Sequence, residues 1–229
     1  MLQLSKTEAH QLKVLSIKLK KDLKKNKKVY FLNSEKSIAY NYVSPGCIDC
    51  QRKLGLTLLG GLDCNLDCFF CFFPGPQKGH LESPKKNIER LLKMRPHLFS
   101  FAITGGEPLL YFKNILKLIK ITKDITHQKA QIRLYTNGLL LTPQKMKKLA
   151  KSGVDELRLS IKTYTTPLSL INEATKYFPR VMLEFPVFPD KESQIKRVLR
   201  ELVKTKIFGI NLLEFVYCFQ NSEHYVNKN

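Results

Sequence analysis

Hydrophobic and polar residues change rhythm along the chain at about residue 52. Before that point, leucines recur at helical spacing from Leu12 to Leu23 within a lysine-rich segment, which predicts an amphipathic helix. Two short apolar runs at 29–33 and 37–43 follow, with a polar turn between them, and predict a hairpin. Residues 1–52 are therefore expected to form a small N-terminal accessory unit made of a helix and a hairpin.

From residue 53 onward, short apolar runs alternate with amphipathic stretches. The apolar runs predict six strands, which are Leu54–Gly60, Leu98–Thr104, Gln131–Thr136, Glu156–Lys162, Val181–Phe188 and Phe208–Tyr217. Two of the intervening stretches begin with a capping hydroxyl before a proline, at Ser83–Pro84 and at Thr142–Pro143. Gly153 stands where the second of these helices should end.

Strands that alternate with helices of this length predict an α/β fold built from parallel βαβ units. The pattern allows either an open doubly wound sheet or a complete or partial barrel, and in both folds chemistry gathers where the strands end. We expect residues 53–218 to form this core and residues 219–229 to be a C-terminal tail. Glu184 and Glu214 interrupt two of the strands, so each carboxylate should face a polar cavity or be paired structurally.

The chain is strongly basic, which bears on the partners that it could bind. The formal net charge is +20, and most of the excess comes from lysine. A solvated lysine-rich surface, a nucleic-acid footprint and a docking surface for an acidic electron-transfer protein are the three alternatives. No stretch approaches the ~20 apolar residues of a membrane span, and the N-terminus lacks a signal-peptide pattern, so a cytoplasmic location is expected.

Six cysteines in a cytoplasmic chain favour metal ligands or reactive thiols over disulfides. Cys64, Cys68 and Cys71 directly follow the first predicted strand. Three thiolates can hold three corners of a cubane iron–sulfur cluster and leave the fourth iron open. The spacing differs from that of bacterial ferredoxins, and a structural zinc site would need a fourth ligand. Chance clustering of buried thiols is the remaining alternative.

The CxxxCxxC spacing, with the aromatic Phe70 just before the last cysteine, resembles the signature of the radical S-adenosylmethionine (SAM) superfamily. A second segment supports the resemblance, because the second predicted strand ends in Gly105, Gly106, Glu107 and Pro108, similar to the GGEP motif of that family. The resemblance implies a partial (β/α)6 TIM-like barrel. It also implies a [4Fe-4S] cluster on Cys64, Cys68 and Cys71, whose open iron SAM chelates.

The resemblance further assigns roles around SAM. It places Phe70 beside the adenine and the segment Gly105, Gly106, Glu107 and Pro108 at the amino group, while Ser160 would lie against the ribose or the carboxylate. Asn137, in a Thr-Asn-Gly turn common in the family, would face the same mouth, unless it merely tolerates a tight turn.

Three further cysteines lie outside the resemblance. Cys47 and Cys50 form a CxxC pair, and Cys218 follows the last predicted strand. The pair is a candidate for a second metal or iron–sulfur site, or for a redox couple. A packed, unreactive thiol is the ordinary role of a single cysteine such as Cys218.

The function implied by the resemblance is reductive cleavage of SAM to a 5′-deoxyadenosyl radical that abstracts hydrogen from a substrate. Reduced flavodoxin or ferredoxin would supply the electron. RNA or a protein is the favoured substrate, a small metabolite remains open, and an activase that installs a glycyl radical on a partner protein is one alternative. A non-catalytic iron–sulfur or zinc binding protein is the alternative from a different class.

Overall fold

The structure, a computed structural model, describes residues 5–68, 70–71, 84–161 and 168–214. The chain divides into two compact units, Met1–Gln51 and Arg52–Asn229. In the ranges that the structure describes, no helix combines the length and the apolar character needed to cross a membrane.

The first unit contains a helix, a hairpin and a short second helix. Its elements are α1 (Lys6–Leu23), β1 (Val29–Leu32), β2 (Ser37–Tyr40) and α2 (Pro45–Gln51). The Ser5 hydroxyl accepts from the backbone N–H of Glu8, whose carboxylate accepts from the Ser5 N–H, so a reciprocal capping box starts α1. The helix and hairpin agree with the expectation, whereas the hydrophobic pattern had not indicated α2.

The second unit alternates strands and helices. Its strands are β3 (Gly55–Leu59), β4 (Ser100–Thr104), β5 (Gln131–Thr136), β6 (Glu156–Ser160), β7 (Arg180–Val187) and β8 (Gly209–Glu214). Its helices are α3 (Pro84–Met94), α4 (Phe112–Ile125), α5 (Pro143–Ser152), α6 (Leu168–Tyr177) and α7 (Glu192–Leu202), with 3-10 turns at Pro108–Tyr111 and Pro189–Lys191.

Helix α5 begins and ends where its sequence predicts. The Thr142 hydroxyl accepts from the backbone N–H of Lys145 at 3.2 Å, and a proline occupies the first helical position. Gly153 ends the helix in the left-handed conformation, with φ of 100°. Ser83, the corresponding cap expected before α3, lies outside the described residues.

The six strands of the second unit form one parallel sheet in the order β3-β4-β5-β6-β7-β8. Strands that pair in chain order, each with the next, are the arrangement of a barrel, whereas a doubly wound sheet reverses its order at a switch point. This order resolves the choice left open by the sequence and confirms the partial (β/α)6 barrel.

The sheet has one apolar face and one polar face. Residues such as Ile103, Leu134 and Leu183 are fully buried and belong to the same hydrophobic core as residues on the helices. Each such side chain contributes about 1.5–3 kcal/mol by leaving water. Successive strand residues point to opposite faces, so Arg158 and Glu184 lie on the other face, which is the interior face of the barrel.

Candidate functional site

Cys64, Cys68 and Cys71 lie in the segment that directly follows β3, at the carboxyl end of the parallel sheet. Cys64 and Cys71 are exposed, Cys68 is half-buried, and none of the three forms a disulfide. The backbone N–H of Cys71 donates to the carbonyl of Cys68 at 2.9 Å, which makes a tight turn between the second and third cysteines. We call residues 60–71 the cysteine loop, of which Phe69 is not described.

Residues 105–107, which we call the Gly-Gly-Glu segment, follow β4 and bind the start of the cysteine loop through their backbone. The N–H of Gly60 donates to the carbonyl of Thr104 at 2.7 Å, that of Gly106 to Gly61 at 3.0 Å and that of Glu107 to Asp63 at 2.7 Å. These bonds continue the β3-β4 pairing past the ends of both strands. The close neighbour of the two glycines in this structure is therefore the cysteine loop itself.

Glycine is required at both positions by this close approach. A Cβ on Gly105 would lie 2.0 Å from the carbonyl oxygen of Gly61, and its φ of +139° is a conformation that other residues avoid. A Cβ on Gly106 would lie 2.2 Å from the carbonyl oxygen of Asp63. Both obstacles are backbone atoms, which cannot swing aside as a side chain would.

Glu107 connects the ends of β4 and β5. Its carboxylate is 1% exposed and accepts hydrogen bonds from Leu109 N–H (3.0 Å), the Thr136 hydroxyl (2.7 Å) and Asn137 N–H (2.7 Å). Pro108 is buried beside it and begins a 3-10 turn. A carboxylate offers about four lone-pair positions, and donors among the described residues occupy three of them, so one position on Oε2 can accept from a ligand such as an ammonium group.

Asn137 joins the end of β5 to the cysteine loop. Its side-chain amide donates to the Asn65 side-chain oxygen at 2.7 Å, and its own oxygen accepts from Leu139 N–H at 3.0 Å. On the other side, the half-buried Phe70 packs against Phe188 just after β7, with ring centroids 5.8 Å apart. Asn137 and Phe188 thus both contact the cysteine loop, Asn137 through Asn65 and Phe188 through Phe70.

Ser160 is the last residue of β6 and lies on the interior face, opposite Glu184 of β7 in the strand register. Glu184 is paired structurally, since Oε1 accepts from Arg158 at 2.7 Å and from Asn211 at 3.0 Å. Glu214 instead lies exposed at the end of β8, so the expectation that it faces a cavity or is paired was wrong for this residue. It fails because Glu214 lies beyond the buried part of its strand.

Arg158 is the centre of an interior network of charged residues on β6 and β7, and the hydrophobic pattern had not indicated its role. Arg158, 2% exposed, also donates from Nε to Glu156 at 2.7 Å, and Glu156 lies 3.4 Å from Arg180. The Arg158 guanidinium stacks over the Tyr135 ring at 5.3 Å. The available signal was that the charged residues Glu156 and Arg158 stand two positions apart on β6, because that spacing puts them on one face.

Cys47 and Cys50 lie one turn apart on α2, in the first unit, and therefore on the same side of that helix. Cys47 is half-buried and Cys50 is exposed. Their role in a second metal, iron–sulfur or redox site stays a prediction. Cys218 lies outside the described residues.

The donor set of the cysteine loop fits an open iron–sulfur cluster by its chemistry. Among the residues that the structure describes, no three His, Cys, Asp or Glu side chains converge as they would around a single metal ion. A cubane cluster does not need its ligands to converge on one point, because each thiolate binds its own iron atom. Three thiols on one short loop, without disulfides, meet that requirement.

Tyr111 adds a side-chain bond to the cysteine loop, because its hydroxyl donates to the carboxylate of Asp63. This bond, with smaller contributions from burial and from the Asp63 charge, raises the pKa of Tyr111 above its usual value. Since the folded-state pKa is raised, the stabilisation is present below pH ~10 and is lost as pH rises through the raised value.

We therefore expect the ultraviolet titration of the tyrosines to contain a late component that Tyr111→Phe removes. The exposed Tyr40 offers the control, and Tyr40→Phe should leave the late component unchanged. A titration curve of Tyr111→Phe that keeps the late component would contradict the assigned bond.

The arrangement of cysteine loop, Gly-Gly-Glu segment and parallel partial barrel defines a class of protein. The family model described as the Radical SAM superfamily matches residues 60–185. The chain belongs to the radical SAM superfamily. The superfamily uses a [4Fe-4S] cluster and SAM and needs an electron donor, so the expected cofactors are confirmed at that level.

Curated relatives share part of their length with this chain. A protein of Methanocaldococcus jannaschii described as a glycyl-radical enzyme activating enzyme is 27% identical over 206 residues, which cover 79% of this chain and 53% of the relative. The GTP 3′,8-cyclase of Clostridium acetobutylicum is 34% identical over 123 residues, covering 49% of this chain and 37% of the cyclase. The chain thus spans about half, or less, of these relatives.

Solved structures agree on the fold. SuiB of Streptococcus suis bound to S-adenosylmethionine has a TM-score of 0.59 at 21% identity, over 90% of this chain and 54% of SuiB. The protein anSMEcpe with bound AdoMet has a TM-score of 0.58 at 19% identity, over 71% of this chain and 52% of that protein.

Proposed function

We propose that this chain is an enzyme that cleaves SAM reductively and passes the resulting radical to a substrate. When bound, a [4Fe-4S] cluster of this superfamily delivers an electron that cleaves SAM to methionine and a 5′-deoxyadenosyl radical, which abstracts a hydrogen atom. In this proposal Cys64, Cys68 and Cys71 hold the cluster. Reduced flavodoxin or ferredoxin supplies the electron, and the protein works in the cytoplasm.

The observation that carries the proposal is the joining of three strand ends by hydrogen bonds. The cysteine loop after β3 is bonded to the Gly-Gly-Glu segment after β4 and, through Asn65, to Asn137 after β5. Segments far apart in sequence are thereby held at one edge of the barrel. With this arrangement, a ligand bound to the open iron would lie beside Glu107, which can accept a hydrogen bond from the amino group of that ligand.

The remaining residues have proposed roles toward SAM. Glu107 would present Oε2 to the amino group, while its other bonds keep the carboxylate fixed. Gly105, Gly106 and Pro108 shape the backbone beside it. Phe70, held by Phe188, would cover the adenine, and Ser160 on the interior face would contact the ribose or the carboxylate. A radical reacts with whatever is nearest, so this protein must exclude water and hold its substrate closely.

The test is an anaerobic assay. Wild-type protein is reconstituted with iron and sulfide, reduced with dithionite and given SAM. We expect 5′-deoxyadenosine from the wild type and none from a triple Cys64→Ala, Cys68→Ala, Cys71→Ala variant. The matched control, the double variant Cys47→Ala, Cys50→Ala, removes two thiols outside the cysteine loop; SAM cleavage should persist in it, and any iron that it loses would belong to the predicted second site.

Iron content sharpens the result. About four irons per chain in both wild type and control would place one cluster on the cysteine loop alone. A well-formed cluster without SAM cleavage, or tightly bound zinc in place of iron, would overturn the enzymatic proposal and favour the binding-protein alternative.

A second candidate function is activation of a glycyl-radical enzyme, which the similarity to the M. jannaschii protein over 79% of this chain favours. The substrate would then be a glycine α-carbon in a partner protein. The same assay can distinguish it, if total protein from cells grown on α-deuterated glycine is added. Deuterium in the 5′-deoxyadenosine supports the activase, and its absence argues against that substrate.

A further inference from the structure

An open cleft of about 430 Å³ lies between α4 and α5 on the outer wall of the barrel. Four lysines line it, namely Lys120, Lys123, Lys148 and Lys151. The two helices together carry eight lysines and one acidic residue, Asp124. By contrast, α6 and α7 carry four basic and three acidic residues, so positive charge is concentrated on one side of the wall.

One lysine of the cleft is fixed and the others are available. The Lys123 ammonium donates to the Ala130 carbonyl at 2.7 Å and to the Asp155 carboxylate at 3.1 Å, with its side chain 12% exposed. Lys120, Lys148 and Lys151 are exposed and form no ion pair with any residue that the structure describes. Elsewhere on the wall, Lys176 and Lys196 are neutralised by Glu173 and Glu192.

We propose that the cleft between α4 and α5 binds the phosphate backbone of a nucleic acid. The three available ammonium groups outnumber the one carboxylate of the lining, Asp124, which Gln128 contacts at 3.5 Å. Lysines provide point charges that neutralise phosphates and release counterions. The inference goes beyond the proposed function and does not rest on it.

The surface around the cleft favours nucleic acid over an acidic protein. Protein interfaces are built on apolar and aromatic anchors and are depleted in lysine. All residues of α4 and α5 are described, and none of their large hydrophobic side chains is exposed. Nucleic-acid interfaces, in contrast, are polar and strongly positive.

The position of the cleft suggests anchoring rather than chemistry. Its lysines lie toward the carboxyl ends of α4 and α5, shortly before β5 and β6 begin, whereas the cysteine loop follows the carboxyl end of β3. Parallel strands share their direction, so the cleft lies at the end of the barrel away from the cysteine loop. The site therefore holds a large polyanion at a distance from the reacting atoms.

The experiment measures binding of the 229-residue chain to a fluorescein-labelled, 20-nucleotide single-stranded RNA by anisotropy across a salt series. We compare the wild type with Lys120→Gln, Lys148→Gln, Lys151→Gln. The matched control is Lys196→Gln, Lys204→Gln, Lys206→Gln, which removes the same charge from exposed positions on and after α7. Thermal unfolding checks that both variants fold.

We expect the cleft variant to lose at least ~10-fold in affinity and to lower the slope of log affinity against log salt by roughly 2. The control variant should bind nearly as the wild type does. DNA of the same length should behave like RNA, because lysines contact the phosphates that both share. The measurement needs no cluster or SAM, so its failure is distinct from failure of SAM cleavage.

Two results would overturn the proposal: equal RNA affinity of the wild type and the cleft variant, or an equal loss of affinity in the control. If the cleft variant with unchanged RNA binding also lost flavodoxin-driven SAM cleavage, the cleft would be assigned to an acidic protein instead.

Discussion

Gly106→Ala is expected to lower the free energy of unfolding by roughly 3 kcal/mol and to abolish stable cluster binding. The new methyl group would lie 2.2 Å from the carbonyl oxygen of Asp63 and 2.5 Å from that of Leu62. The cysteine loop must move away to remove this steric clash. That movement breaks the backbone bonds from Gly106 to Gly61 and from Glu107 to Asp63.

Denaturant unfolding of the variant before reconstitution, followed by iron analysis after it, would test both parts of this prediction. Gly209→Ala is a suitable control, because the added Cβ meets only the flexible Met182 side chain at 3.1 Å. It should cost less than about 1 kcal/mol and leave iron binding unchanged. Wild-type stability and iron content in Gly106→Ala would mean that the loop does not pack on this segment.

The Gly106→Ala variant tests whether the Gly-Gly-Glu segment packs on the cysteine loop, a contact that the sequence alone could not specify. Two adjacent glycines at a strand end indicate close approach of backbone, but the partner is not written in the motif. The partner is the segment Gly61–Asp63, more than forty residues earlier in the chain. Only the parallel pairing of β3 with β4 brings the two segments together.

The strands, the helix cap at Thr142 and the position of the cysteine loop could be predicted because each depends on local pattern. The three bonds of Glu107 could not, since two of its donors, Thr136 and Asn137, belong to the end of the next strand. The sequence could not show either which lysines form ion pairs. Composition shows the excess of charge, whereas the structure shows which lysines it leaves exposed and outside the ion pairs of the described residues, among them Lys120, Lys148 and Lys151.

The interior network illustrates the same limit. The sequence indicates that the carboxylate of Glu184 needs a polar environment or a partner. Its partner, however, depends on the register that sets Arg158 of β6 beside β7. Burial of three charged groups would be costly if any one lost its partner. Their mutual pairing therefore makes the network a sensitive point of the fold.

Arg158→Met is accordingly expected to reduce the free energy of unfolding by about 3–5 kcal/mol, because it leaves two buried carboxylates without their guanidinium. Glu156 and Glu184 have side chains 1% and 8% exposed, so water cannot replace the lost partner. Glu156 retains Arg180 at 3.4 Å, and Glu184 retains the weaker Asn211. The loss should therefore fall mainly on Glu184.

The triple variant Arg158→Met, Glu156→Gln, Glu184→Gln distinguishes lost charge pairing from lost packing. It removes both carboxylate charges together with the Arg158 guanidinium while keeping side chains of similar size, and replacement of buried ion pairs by neutral groups is often close to neutral. Urea unfolding should show the triple variant recovering more than half of the stability that Arg158→Met loses. If the triple variant is as unstable as the single one, Arg158 stabilises the barrel by its packing, including its stacking on Tyr135, and not by its charge.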